Sequence, residues 1–386
     1  MQEEQALLGN RIRIYEKWNY GIDLLRIIAM VMIPILHILG QGGILENAVP
    51  LSGRYMVAWL LEISCYCAVN VYGMISGYVG YRQPHNYARL LQLYFQVAFY
   101  TIIVSVLFRI WKPEMVSTAT VRAAVFPFAY NVYWYFTAYF CLFVFMPFLD
   151  KMIDRISQRE ARVLIATIII FLSVLPTMFQ EDFGGTNGGY NFLWLAMLYL
   201  IGACLKKLET KERKIRKKYL SVYLLSVLIV WGSMMAVDFI ADRRYHQSMR
   251  FDQLISYTSP FIIFCAIGLV LFFRELRPGR IWKKLIAFFT PVSFDVYLFH
   301  EEPLIVSTFL TGAFIPYLSF PPFEMAVAII GSALVIWLAG SAAGCIRRFL
   351  FRIFRIEKLS AFLVEKTKKM FRCCYTHAVK IREKNV

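Results

Sequence analysis

The chain has 386 residues, of which 59% are hydrophobic and 17% aromatic, and its formal net charge is +17. An ordinary soluble domain has roughly half of its residues apolar, so this composition indicates an all-α polytopic membrane protein. Residues 1–19 are polar and charged and lack the apolar stretch of a signal peptide, so we expect the first apolar helix to direct insertion. The eight cysteines form no zinc-type array, and no metal or permanently bound cofactor is expected.

Ten apolar runs follow, and most have the roughly 20 residues that a helix needs to cross a hydrocarbon core. They lie at about 21–39, 56–79, 90–110, 133–149, 163–179, 191–205, 219–240, 254–273, 285–310 and 323–345. The sequence therefore predicts a cytoplasmic segment 1–19, a ten-helix transmembrane domain 20–345 and a basic amphipathic cytoplasmic tail 346–386.

Basic residues are distributed unevenly between the segments that connect these runs. One alternating set of segments holds 22 Lys and Arg, whereas the other set holds seven. Cytoplasmic loops of membrane proteins carry the excess of Lys and Arg. The pattern predicts a multi-pass protein of the cell membrane with both termini in the cytoplasm.

The first run, YGIDLLRIIAMVMIPILHIL, carries Asp23, Arg26 and His37 in an otherwise apolar helix. At about 100° per residue the three side chains share one stripe, and Arg26 and His37 lie about 16 Å apart along the axis. Ionisable residues within a membrane usually mark a pathway or a reaction site. The alternative is an Asp–Arg pair at the interface and a histidine bonded to a neighbouring helix. Pro34, one turn before His37, predicts a kink that could open a cavity.

The second run contains Glu62 and ends in Ser76-Gly77-Tyr78, where small residues would allow close helix approach. Arg89 flanks the third run, and Trp134 opens the fourth.

The loop before the sixth run reads FQEDFGGTNGGYNFLW and contains no basic residue. Its glycines and amides favour tight turns. Phe183, Tyr190 and Trp194 could stack on a sugar ring, although Tyr and Trp also populate membrane interfaces.

The ninth run carries SFDVYLFHEEPL, in which His300 and Glu301 precede a proline. Its predicted direction brings His300 to a depth similar to that of His37. Beyond it, the tail from Arg347 holds twelve basic residues with apolar residues at helical spacing. This pattern favours anionic membrane lipid over nucleic acid as the partner of the tail.

These motifs together resemble acyltransferase family 3, the integral-membrane O-acyltransferases, from about Asn19 to Cys345. The resemblance lies in N-x-x-x-D-x-x-R-x10-H of the first run, SGY of the second, WY of the fourth, GGY-x-x-x-W before the sixth and SFDVYLFHE of the ninth. Family members commonly have Arg-x-Arg after the second run, whereas this chain has Tyr87-Ala88-Arg89. Because the basic tail follows the tenth run, we expect no extracytoplasmic domain of the kind fused to some relatives.

The resemblance implies acyl transfer, usually from cytoplasmic acetyl-CoA, to a hydroxyl of an extracytoplasmic or lipid-linked glycan, with His37 and Arg26 in the catalytic motif. His37 suits the general base because an imidazole ordinarily changes its protonation near physiological pH. Arg26, fixed by Asp23 and assisted by Arg89, would hold the phosphates of CoA.

Supporting roles are predicted for Glu62, Ser76, Trp134, His300 and Glu301, and acceptor binding for Tyr190 and Trp194. A covalent intermediate and direct transfer both remain open. The competing interpretation is a transporter or flippase for a sugar or lipid-linked sugar that uses the Asp–Arg–His stripe as its path. The sequence leaves the oligomeric state open.

Overall fold

The computed structural model describes residues 18–209, 216–246 and 250–384, and within these ranges the chain forms helices and turns without a strand. The predicted all-α class is confirmed for this part of the chain. Most of the N-terminal segment 1–19 lies outside the described residues, together with its three basic residues.

In the described residues, the first half of the chain forms nine α-helices. They are α1 (Tyr20–Leu39), α2 (Ile44–Asn47), α3 (Gly53–Tyr66), α4 (Ala68–Gly80), α5 (Tyr87–Trp111), α6 (Thr118–Val125), α7 (Trp134–Arg155), α8 (Gln158–Ile169) and α9 (Leu175–Phe179).

The described part of the second half forms eight more. They are α10 (Phe192–Lys207), α11 (Arg216–Tyr245), α12 (Pro260–Phe273), α13 (Arg280–Phe289), α14 (Ser293–His300), α15 (Pro303–Ile305), α16 (Pro322–Ile353) and α17 (Ile356–Lys384).

Seven helical segments in the described ranges are long and apolar enough to cross a membrane. They are Tyr20–Leu39, Gly53–Gly80, Tyr87–Trp111, Trp134–Arg155, Gln158–Phe179, Lys217–Tyr245 and Pro322–Ile353. The protein is therefore an integral membrane protein by composition and helix length. The count of ten spans and the orientation of the termini stay predictions.

The other three predicted runs are shorter or interrupted. α10 has 16 residues and α12 has 14. α12 begins at Pro260 rather than near 254, since proline favours the first turn of a helix. The run 285–310 is not one helix: a 3₁₀ turn at Thr290–Val292 separates α13 from α14, and Pro303 begins a new helix after Glu302.

Helix α1 lies inside the bundle and packs against α3, α4, α14 and α16. Twelve of its 20 residues are buried. It continues through Pro34 to Leu39, although that proline has no N–H to donate within the helix.

α4 and α10 approach closely through two glycines. A Cβ added at Gly77 would collide with the backbone carbonyl of Tyr199, and one added at Gly202 with that of Met74. This contact confirms the predicted close approach at the Ser76-Gly77-Tyr78 motif.

α16 continues past the boundary predicted at 345/346 and ends at Ile353, and the division into domains stays a prediction. No glycine or proline lies between Cys345 and Ile353 to end the helix. The turn comes at Phe354 and Arg355, and α17 then packs against α5. The first part of the tail is thus packed against the bundle.

Candidate active site

The N-terminus of α1 is fixed by Asn19. Its side chain accepts hydrogen bonds from two backbone N–H groups of the first turn at 3.0 and 3.3 Å, as an N-cap does. Its amide donates to the carbonyl of Arg274 at 3.0 Å. Within the first two turns of the helix, Arg26 Nη1 lies 2.6 Å from Asp23 Oδ1. The pair leaves further N–H groups of the guanidinium for an anion.

Near the other end of α1, His37 meets the end of α14. Its Nδ1 lies 2.9 Å from Nε2 of His300 and 2.9 Å from Oε1 of Glu301. His300 is buried, whereas His37 and Glu301 retain partial exposure. The two histidines, predicted to share a similar depth, are in direct contact.

The hydrogen bonds of His300 define which nitrogen of His37 carries a proton. His300 Nδ1 lies 2.5 Å from the carbonyl oxygen of Val296 and must donate to it, because a carbonyl only accepts. Neutral His300 then presents a bare Nε2 to His37. The Nδ1 of His37 therefore bears the hydrogen, since both of its neighbours are acceptors. The lone pair of His37 is then on Nε2, where the neutral imidazole can accept a proton.

A small cavity of about 30 Å³ lies beside His37. Most of its lining is aromatic or apolar: Met30, Ile33, Leu36, Val69, Tyr72, Trp134, Tyr135, Tyr257, Phe294 and Tyr297. These side chains shield the part of His37 that faces the cavity from bulk water, which strengthens electrostatic interactions there.

Tyrosines continue from this cavity toward Arg26. The hydroxyl of Tyr72 donates to the carbonyl of Arg26 at 2.8 Å. Tyr135 stacks on Tyr139 with ring centroids 6.3 Å apart. The rings of Tyr72 and Tyr135 also pack against each other, with centroids 6.3 Å apart. Tyr72 and Tyr135 thus connect the His37 cavity with the backbone of Arg26 and with Tyr139.

Tyr139 and Ser76 line a second, larger cavity of about 820 Å³. Six basic residues face it: Arg89, Arg347, Arg348, Arg352, Arg355 and Lys358. The sequence singled out Arg89, but the other five were interpreted as a membrane-facing tail. Their spacing indicated a helical face, whereas only the packing of that face against α5 reveals a cavity.

Asp295 joins this cavity to the helix that carries His300. Its carboxylate binds Arg347 through two hydrogen bonds of 3.0 and 2.6 Å, and it also accepts from Gln96 at 2.8 Å and from Tyr100 at 3.0 Å. Asp295 is fully buried. Its role is not evident from the sequence, although its place inside the SFDVYLFHE stretch was a signal.

Glu62 and Ser76 lie apart from His37's immediate contacts. Glu62 is buried, and its Oε2 makes no hydrogen bond. Ser76 donates to the carbonyl of Tyr72 at 2.9 Å. The supporting roles expected for Glu62 and Ser76 stay predictions.

The two residues predicted to bind the acceptor occupy different environments. Tyr190 is 44% exposed and packs on Trp134 and Tyr257 with ring centroids 4.9 Å apart in each case. Trp194 is fully buried, and its indole donates to Asn70 at 3.1 Å. Tyr190 has a ring face within reach of an acceptor, whereas Trp194 would reach one only after a rearrangement.

His37, His300 and Glu301 are also the three described residues whose ligand-type atoms cluster within 4.8 Å. Two ligands of one tetrahedral zinc ion are separated by about 3.3 Å, given bonds of about 2.0–2.1 Å. The two separations of 2.9 Å from His37 Nδ1 are shorter than that and are typical of hydrogen bonds and close ion pairs.

A family model described as "Acyltransferase domain" matches residues 19–341. No curated protein and no solved structure matches the chain.

Proposed function

Because the chain belongs to this acyltransferase family, we propose that it is a membrane O-acyltransferase that transfers an acetyl group from cytoplasmic acetyl-CoA to a hydroxyl of a glycan. The observation that carries the proposal is the contact of His37 with His300 and Glu301 beside an aromatic cavity. This arrangement leaves Nε2 of His37 as the base, and a carboxylate lies next to the opposite nitrogen.

In the proposed reaction the acceptor hydroxyl gives its proton to His37 Nε2 while its oxygen attacks the thioester carbonyl carbon. The C–S bond then breaks, the acyl ester forms, and the CoA sulfur takes the proton from the imidazolium. Glu301 stabilises that imidazolium from the Nδ1 side, as a carboxylate does in a hydrolase triad. The step needs no oxidant, reductant or metal.

The thioester oxygen becomes negative as the hydroxyl attacks, and hydrogen-bond donors that face it lower the barrier. Tyr135 and Tyr297 line the cavity with His37, and the ring of Tyr297 lies 6.4 Å from that of His300. We assign the stabilisation of the oxyanion to these tyrosine hydroxyls.

The donor would enter from the cytoplasmic side and pass Arg26 and Arg89. Arg26 retains N–H groups beyond its bond to Asp23, and guanidinium groups bind phosphates through paired hydrogen bonds. The acceptor, an extracytoplasmic or lipid-linked glycan, would approach from the side of Tyr190. Its exposed ring beside Trp134 supports this assignment.

A transporter remains the competing class, but the family match offers it no support. Turnover distinguishes the two classes, since a carrier releases no CoA from acetyl-CoA.

Purified protein should be incubated with radiolabelled acetyl-CoA and membrane glycans, and free CoA and acylated product measured. The wild type should release CoA in step with product formation. His37→Ala should lose about 10²- to 10⁴-fold in transfer, the usual contribution of a general base, yet bind CoA normally. Full transfer by His37→Ala would overturn the assignment of the base, and absence of CoA release by the wild type would overturn the enzyme class.

A further inference from the structure

We infer that the 820 Å³ cavity binds the phosphorylated nucleotide end of the acyl-CoA donor, with Arg348, Arg352 and Arg355 of the C-terminal region as its phosphate ligands. The inference rests on the proposed function and deepens it. The sequence had placed these arginines against membrane lipid.

Positive charge around the cavity supports this inference. The side chains of Arg89, Arg348, Arg352, Arg355 and Lys358 form no ion pair or hydrogen bond with other described residues. Clustering like charges around one cavity is unfavourable unless an anion neutralises them. Glu357 is the one carboxylate in the described lining.

The backbone conformation of Arg355 also supports the inference. Its φ is +51°, in the left-handed region that non-glycine residues rarely adopt. Glycine is the usual residue where a helix ends in this conformation. Strain that a structure keeps often marks a functional site. Here an arginine occupies the turn between α16 and α17 and lines the cavity.

The shape and lining of the cavity suit a nucleotide better than a single phosphate. Its volume lies within the range of about 300–1,000 Å³ found for small-molecule sites. Phe143 and Phe351 offer apolar surface for an adenine ring, while the arginines supply the charge.

The cavity also lies on the route to the base. Ser76 and Tyr139 form part of its wall, and the ring of Tyr139 stacks on that of Tyr135 with centroids 6.3 Å apart. Tyr135 lines the His37 cavity. A donor with its phosphates among the tail arginines can therefore extend its pantetheine arm past Arg26 toward His37.

The buried Asp295–Arg347 pair connects the two ends of this route. Arg347 borders the arginine cavity, and Asp295 lies on α14 five residues before His300. The pair positions the start of the arginine face relative to the histidines.

The test measures CoA and adenosine 3′,5′-bisphosphate binding by calorimetry on the purified full chain, without turnover. Arg352→Ala/Arg355→Ala should weaken both ligands about 10- to 100-fold, since each charge-assisted hydrogen bond contributes substantially. The matched control is Lys368→Ala/Lys369→Ala, which removes the same charge from exposed positions of α17 outside the cavity. It should bind like the wild type. Wild-type affinity in the arginine variant would overturn the inference.

Arg355→Gly separates ligand binding from folding. Glycine relieves the strained φ, so the variant should unfold at the wild-type temperature or above it. Its affinity for adenosine 3′,5′-bisphosphate should nevertheless fall. A stable variant with unchanged affinity would show that Arg355 serves only the turn.

Anionic lipid headgroups share the phosphate chemistry, and a second arm identifies them. Nanodiscs containing phosphatidylglycerol should leave nucleotide affinity unchanged if the cavity is a nucleotide site. If the lipid competes with the nucleotide, and the arginine variant loses lipid rather than nucleotide binding, the cavity is a lipid site and the inference fails. If the protein bound the nucleotide but released no CoA from acetyl-CoA, the proposed function would be refuted. The nucleotide site would still be supported.

Discussion

At the residue scale, the chemistry of His37 depends on three atoms of one neighbouring segment. The carbonyl of Val296 directs the proton of His300, and His300 in turn directs the proton of His37. Glu301 then provides negative charge 2.9 Å from the same nitrogen. Without that segment, the tautomer of His37 would be free to change.

Glu301→Gln should lower acyl transfer by roughly 10- to 100-fold, because the amide cannot stabilise the imidazolium as the carboxylate does. CoA affinity should stay unchanged. The control is Glu302→Gln: Glu302 caps α15 by accepting from Leu304 and Ile305 N–H at 2.8 and 3.2 Å, and an amide oxygen can still accept. Single-turnover acyl transfer should be measured for both variants. An equal loss of transfer rate in the two would refute a special role for Glu301.

Arg26→Lys tests a different task on the same helix. The lysine keeps the charge but loses the planar pair of donors, so we expect donor affinity to fall more than the rate of the chemical step. CoA calorimetry and single-turnover transfer should be compared with the wild type after membrane insertion has been checked. Unchanged CoA affinity would reassign Arg26 to helix packing through Asp23.

At the element scale, the site is formed where a continuous helix meets an interrupted one. α1 crosses the bundle with Arg26 and His37 on one stripe, whereas the 3₁₀ turn and Pro303 confine α14 to eight residues. The end of α14 therefore lies inside the protein, where His300 and Glu301 reach His37. The glycine contact between α4 and α10 packs the second span closely against its neighbour.

Gly77→Ala should destabilise the protein, although alanine favours helix more than glycine does. Its Cβ would collide with the backbone carbonyl of Tyr199, and such overpacking costs about 1–3 kcal/mol. Gly80→Ala is the matched control on the same helix, since its Cβ would lie 3.5 Å from the Tyr199 ring, an ordinary contact. Thermal unfolding in detergent should give a lower Tm for Gly77→Ala only, and equal values would contradict the close approach.

At the scale of the whole molecule, the arrangement separates two chemical environments along α1. A basic cavity lies at the end where α16 leaves the bundle, and an aromatic cavity lies beside His37. In the predicted orientation the first faces the cytoplasm and the second faces outward. This polarity is what transfer from a cytoplasmic donor to an extracytoplasmic acceptor requires.

The membrane topology therefore tests directly whether the basic cavity faces the cytoplasm. A reporter fused after Lys384 should be active only in the cytoplasm, and cysteines introduced between Lys206 and Lys218 should resist an impermeant reagent in intact cells. The 22 to 7 distribution of basic residues motivates this expectation. Outside labelling of that loop would invert the topology and place the arginine cavity away from cytoplasmic CoA.

The sequence alone determined the all-helical class, the membrane character and the family, because apolar run length and the ordered motifs are local properties of the chain. It also placed Asp23 and Arg26 within reach of each other, since residues three positions apart in a helix are neighbours on its surface. The 2.6 Å ion pair confirms that placement.

Only the tertiary structure decided which distant groups meet. His37 and His300 are 263 residues apart, and their similar depth could be predicted while their contact and tautomers could not. The tail arginines face a cavity because α16 continues past the predicted boundary and α17 folds back against α5. A helical pattern in sequence indicates which residues share a face, but the partner of that face depends on packing between elements, which no local spacing encodes.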